Sequence, residues 1–156
     1  MDREQLRQLN QQMAQRIATA EPAPLVDGGY ALRVVRTTGR TSGEPRDVPL
    51  AVIARDGRRY LVAPRARRDW VANLDAHPAC SILGEDAPLT AVRRTDRTAA
   101  LVALQYARTA HGPARSAFPF PPDALLDEVV AAMPEMAVFE LVTTASTDPS
   151  TDSSAS

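Results

Sequence analysis

The sequence predicts an α+β protein in which six antiparallel strands close into a barrel flanked by helices. Three observations carry that expectation. Between residues 30 and 144 there are six short runs rich in Val, Ile, Leu and Thr, bounded by Gly, Pro and Asp clusters, which is strand patterning. The runs do not alternate with helices as βαβ units, so a doubly wound parallel sheet is disfavoured. Two of them are joined by Asp56-Gly57, the preferred chemistry of a two-residue hairpin turn.

Residues 2–19 read as an amphipathic helix, with Leu6, Leu9, Met13 and Ile17 at spacings of three and four, expected to lie on the barrel. A membrane-surface arm is the sharper alternative, but the polar face is rich in glutamine rather than basic. Glu21-Pro22-Ala23-Pro24 is a stiff linker, because proline bars continued helix. The first strand is 30–38, followed by a polar loop, GRTSGEPR, and a second strand at 47–55. After the Asp-Gly turn comes a third strand at 58–63, then a short helix at 69–76 that stops before Pro78. Strands at 79–83 and 88–95 follow. Asp96 is a natural N-cap for a helix over 97–110. Residues 112–122 (GPARSAFPFPP) exclude both helix and inner strand. A further helix over 123–133 begins after Pro121-Pro122, and 137–144 is the last strand. The organisation is therefore an N-terminal helix (1–20), a barrel domain (25–144) with a helical insertion near 97–133, and a polar tail (145–156) expected to be disordered.

Composition narrows the function. The chain has 156 residues and net charge −1, and all 18 of its basic residues are arginine. Each cation is thus a planar fork suited to phosphate or carboxylate, while the near-neutral balance argues against nucleic acid as a partner. A single cysteine, Cys80, excludes an internal disulfide framework and agrees with a cytoplasmic location. No apolar h-region opens the chain and no run approaches the roughly 20 apolar residues of a membrane helix. His77 and His111 are the only histidines, so neither a zinc site nor a His77–Cys80 nucleophilic pair finds support. Asp69 reads as a helix cap and Trp70 as core or pocket wall.

The informative stretch is Thr37-Thr38-Gly39-Arg40-Thr41-Ser42-Gly43-Glu44-Pro45-Arg46, running into Val48-Pro49-Leu50. Glycines let a main chain approach a ligand, and exposed N–H groups can form an anion nest. Arg40 and Arg46 add charge-assisted bonds. The chemistry is that of a phosphate or carboxylate binder; a solvated hairpin whose arginines pair with Glu44 or Asp47 is the alternative.

This segment, T-T-G-R-x-S-G-x-x-R-x-V-P-L, resembles the signature of the deazaflavin-dependent nitroreductase family. A second element, W-x-x-N-L-x-A-x-P, stands as Trp70, Asn73, Leu74, Ala76 and Pro78. The resemblance implies a six-stranded split β-barrel of the FMN-binding type, a homodimer, and an oxidoreductase that binds the deazaflavin coenzyme F-420, FMN being the less favoured cofactor. It implies that Arg40, Thr41, Ser42, Gly43 and Arg46 hold the coenzyme's anionic part. Val48 and Pro49 would also contact the coenzyme, and Val62, Ala63, Pro64 and Arg65 would lie beside its ring, with Trp70 and Asn73 as pocket wall and loop anchor. Hydride would pass to a small organic acceptor (an enone, quinone or nitro compound), in secondary metabolism by expectation. Tyr106 or Ser42 would supply the proton, and Tyr106, Phe118 and Phe120 would line the substrate pocket. Two departures keep a cofactor-free cyclase or isomerase on the same barrel in view: the loop after the third strand is shortened to Pro64–Asp69, and the 112–122 segment is an unusual aromatic-proline insertion.

Overall fold

A computed structural model describes residues 3–19, 24–110 and 116–144. Six strands, β1 (Tyr30–Thr38), β2 (Pro45–Arg55), β3 (Arg58–Ala63), β4 (Ala79–Ile82), β5 (Leu89–Arg94) and β6 (Ala137–Thr143), form a closed antiparallel barrel in the order β1-β2-β3-β6-β5-β4. The helices bounded within the described residues are α1 (Arg3–Thr19), α2 (Asp69–Ala76), α3 (Arg97–Thr109) and α4 (Leu126–Ala132), with a 3-10 turn at Met133–Glu135. Ser116 is also helical, contrary to the expectation that 112–122 excludes helix. The predicted fold class is what the chain adopts. The tail, the 111–115 part of the insertion and all of the linker but Pro24 lie outside the described residues.

The period-2 alternation of the strands divides the apolar residues between two cores. Val35, Val52, Leu61, Ile82, Leu89, Phe139 and Leu141 fill the barrel. Their strand neighbours Ile53, Tyr60, Val62 and Val138 point outward and are covered by Ala99, Val102 and Ala103 of α3 and Val129 of α4. The Asp56-Gly57 turn works as expected, both residues adopting positive φ (54° and 76°), which is the type I′ geometry that matches the strand twist. Asp96 caps α3, its carboxylate accepting from the Ala99 N–H at 3.0 Å. Arg94 and then that backbone bond hold the Asp96 carboxyl below its ordinary value of 3.8.

Most boundaries fall within one residue of expectation, but two element starts and one cap differ by more. β2 starts at Pro45 rather than Asp47, because proline is tolerated at the first position of a strand. α4 begins at Leu126 rather than after Pro122, where the Glu128 side chain turns back to accept from the Leu125 N–H at 3.0 Å. Asp69 is not a helix cap: Arg68 is the N-cap and makes no side-chain cap bond.

One asymmetry positions the site. β2 pairs with β1 along Pro45–Ile53 but with β3 only along Val52–Arg55. β3 ends at Ala63 because Pro64 has no N–H to donate. The first half of β2 therefore pairs on one side only, and the barrel wall opens beside it.

Candidate functional site: an arginine-lined cleft

A cleft of about 740 Å³ lies in this opening, walled by the β1–β2 loop, the first half of β2, the start of α2 and the first turns of α1. Gly39 and Gly43 shape the loop. Gly43 takes φ +71°, a left-handed conformation open to glycine. A Cβ on Gly39 would stand 2.4 Å from Ser42 Oγ, so only glycine lets that hydroxyl turn inward. Ser42 Oγ in turn accepts from the Glu44 N–H at 3.2 Å and Arg46 Nη2 at 3.5 Å.

The loop is fastened to α2 by a single buried side chain. Asn73, 5% exposed, accepts at Oδ1 from both the Arg40 backbone N–H and Arg40 Nη1, each at 3.0 Å. Arg40 Nη2 reaches the Asp69 carboxylate at 3.3 Å. Asn73→Ala leaves a backbone N–H and a guanidinium without that acceptor. It is expected to cost about 1–3 kcal/mol of stability, measured by urea unfolding, and to loosen the loop.

Arginine dominates the cleft. Arg40, Arg46 and Arg68 line it together with Arg36, whose fork closes on Asp47 at 2.7 and 2.9 Å. Hydrogen bonding to Asp47 and then its charge raise the Arg36 pKa above its ordinary value. The side chains of Arg65, Arg67 and Arg68, all exposed, have no hydrogen-bond or ion-pair partner among the described residues. The apolar side of the cleft is Val48, Pro49, Leu50 and Trp70. Trp70 is both core and wall, its ring tilted against Phe139 at 6.0 Å inside the barrel.

The structure thus brings together Arg40, Thr41, Ser42, Arg46, Val48, Pro49, Trp70 and Asn73. Gly43 shapes the loop without lining the cleft. Val62 belongs to the outer core and Ala63 to the barrel interior, while Pro64 and Arg65 are not among the lining residues. Tyr106, Phe118 and Phe120 are not brought to the cleft. They form an aromatic cluster with Tyr30, with ring centroids 5.3 to 5.6 Å apart. Tyr30 stands at the start of β1 and the loop at its end, about eight strand residues or roughly 26 Å away. Burial and then neighbouring Tyr30 raise the Tyr106 pKa. Cys80 is buried and its thiol is pushed up to about 11, which leaves it inert as a nucleophile.

Sequence reasoning missed the α1 contribution: Arg3, Leu6, Arg7 and Asn10 line the cleft. The apolar stripe predicted burial, yet Leu6, Leu9 and Met13 remain 47%, 44% and 46% exposed. The side chain of Ile17 is outside the described set. Among the described residues no cluster of His, Cys, Asp or Glu could hold a metal, and no helix is long and apolar enough to cross a membrane.

The donor set fits a deazaflavin coenzyme that carries phosphate and carboxylate groups. The cleft lining combines arginine forks and the Ser42 hydroxyl with the apolar residues Val48, Pro49, Leu50 and Trp70.

Comparison with known proteins agrees. The family model for F420H(2)-dependent quinone reductase matches residues 6–114, a span that includes the loop, α2 and most of α1. Among solved structures, a conserved hypothetical protein from Mycobacterium tuberculosis has TM-score 0.49 and 14% identity, over 92% of this chain and 81% of that one. A structure described as an F420 reductase has TM-score 0.44 and 17% identity, over 78% and 90%. One described as a domain-swapped dimer has TM-score 0.40 and 19% identity, over 89% and 94%. No curated protein matches. On the family match, which covers well over half of the sequence, the chain belongs to the F420H(2)-dependent quinone reductase family and is an oxidoreductase that uses this deazaflavin coenzyme.

Proposed function

We propose that the cleft holds reduced coenzyme F-420 with its anionic part on Arg40, Thr41, Ser42 and Arg46 and its ring against Val48, Pro49 and Trp70, and that a small enone, quinone or nitro compound is reduced there. The observation that carries this reading is the Gly39–Arg46 loop, locked by Asn73 so that arginine forks face an opening in the barrel wall. When bound, the coenzyme supplies a two-electron hydride. The chain's residues bind, orient and exclude water.

Their individual tasks follow from their positions. Arg40 is preorganised by Asn73, so little side-chain entropy is lost when it meets an anion. Leu50 and Trp70 keep the ring side of the cleft apolar. Ser42 Oγ, held by the Glu44 N–H, is turned toward the anionic part and binds it. A homodimer, a cytoplasmic location and a role in secondary metabolism complete the proposal.

Fluorescence titration with the oxidised coenzyme tests it, followed by turnover of the reduced coenzyme against quinone, nitro and enone acceptors. Micromolar binding with oxidation by at least one acceptor class supports the reading, and no binding removes it. Tyr106→Phe is expected to leave coenzyme affinity and turnover unchanged. The Tyr106 ring packs between Tyr30 and Phe118, far from the loop, and its hydroxyl has no hydrogen-bond partner among the described residues. A selective fall in turnover would give Tyr106 the proton-donor role instead.

A further inference from the structure

The first turns of α1 present two arginines to the cleft, and neither is committed to a strong partner. Arg3 Nη2 stands 3.9 Å from Asp69 Oδ1, and Arg7 Nη1 stands 3.7 Å from Glu4. Both pairs are solvent-exposed and long, the kind of ion pair that contributes little. The same Asp69 oxygen also faces Arg40 Nη2 at 3.3 Å. One carboxylate therefore bridges the helix on one side of the cleft mouth and the ligand loop on the other. It does so where Arg40, Arg46 and Arg68 already concentrate positive charge.

A scaffold helix packed for stability would bury its apolar stripe, and α1 does not: Leu6 and Leu9 are nearly half exposed. What α1 does contribute is charge at the cleft. Resting on the function proposed above, we propose that α1 is a binding arm for the anionic part of the coenzyme, gripping it with Arg3 and Arg7 opposite Arg40, and that Asp69 is the counter-ion exchanged when that anion arrives. With the protein alone, Asp69 offsets the facing arginines. An incoming phosphate or carboxylate takes over Arg40 and competes with Asp69 for Arg3, so the carboxylate opposes binding while the two α1 arginines favour it.

The test compares the full-length protein with Arg3→Gln/Arg7→Gln and with Asp69→Asn. Each is titrated at several salt concentrations with oxidised coenzyme F-420 and with a phosphate-free deazaflavin that carries the ring alone. The double variant is expected to bind the coenzyme about tenfold more weakly and with a shallower salt dependence, and to bind the phosphate-free ring as wild type does. Asp69→Asn is expected to bind the coenzyme several-fold more tightly at low salt. Equal coenzyme affinity in the double variant and wild type overturns the arm. A loss that is the same for coenzyme and phosphate-free ring also overturns it, because α1 would then act by shape rather than charge. Weaker binding by Asp69→Asn overturns the counter-ion role. If wild type itself binds no coenzyme, the proposed function fails first; if only the variants behave as wild type, this inference alone fails. Circular dichroism melts check that these exposed substitutions leave the fold intact.

Discussion

Arg40→Ala is expected to weaken binding of oxidised coenzyme F-420 by roughly one to two orders of magnitude, since a hydrogen bond to a charged group contributes about 1.5–3 kcal/mol. The guanidinium is already held by Asn73 Oδ1 at 3.0 Å, so the loss reports a preorganised contact rather than a mobile one. The backbone anchor from the Arg40 N–H to Asn73 does not depend on the side chain, and the loop is expected to keep its shape. Arg40→Lys should recover only part of the affinity, because an ammonium cannot present a planar fork. Fluorescence titration of the three proteins decides it. Equal affinities would mean that the anion is held elsewhere.

Phe139→Ala is expected to destabilise the protein by about 3–5 kcal/mol, which lowers the melting temperature by roughly 10 °C for a domain of this size. Phe139 is 1% exposed at the centre of the barrel. One side of its ring carries Trp70, and Arg93 lies over it at 5.4 Å from the centroid. Removing the ring leaves a cavity and takes the backing from Trp70, so the cleft wall softens along with the core. A calorimetric scan measures the first effect, and Trp70 fluorescence, the emission of the only tryptophan in the chain, reports the second. Phe139→Leu should keep most of the volume and cost much less.

The barrel was legible because its signals are local. Runs of strand-forming residues bounded by turn chemistry placed the strands, and Asp56-Gly57 placed the hairpin between β2 and β3. The ligand loop was legible for the same reason, since glycines, hydroxyls and arginines within ten residues can only be a turn with donors. What could not be read was anything that depends on distance across the fold. By its local pattern Asn73 is an ordinary helix residue; only the family resemblance marks it as a loop anchor, and the bond to Arg40, 33 positions earlier in the chain, gives that role its partner. Asp69, next to a helix start, matched a cap by position alone, while its carboxylate in fact serves the cleft. The apolar stripe of α1 encodes only that one face differs from the other. It carries no information on which neighbour, if any, covers that face. Tyr106 and the two phenylalanines were expected together at the substrate pocket; the rings do meet one another, but no local pattern tells at which end of β1 they come to rest.

The partial pairing of β2 also has a mechanical side. From Pro45 to Ala51 this strand is bonded to β1 alone, and β1 meets β4 only at Val35 and Arg36. Beyond those joints no further strand flanks the pair, although α1 packs on both strands and Asn73 fastens the loop at their tip. Two strands bend more readily than a closed wall, which must shear several ladders at once. Widening the cleft along this stretch would leave the β2–β3 ladder intact and would instead have to release the Arg40–Asn73 bonds that hold the loop. The ladders that keep the core folded and the latch that shapes the cleft thus act on different lengths of the same strand.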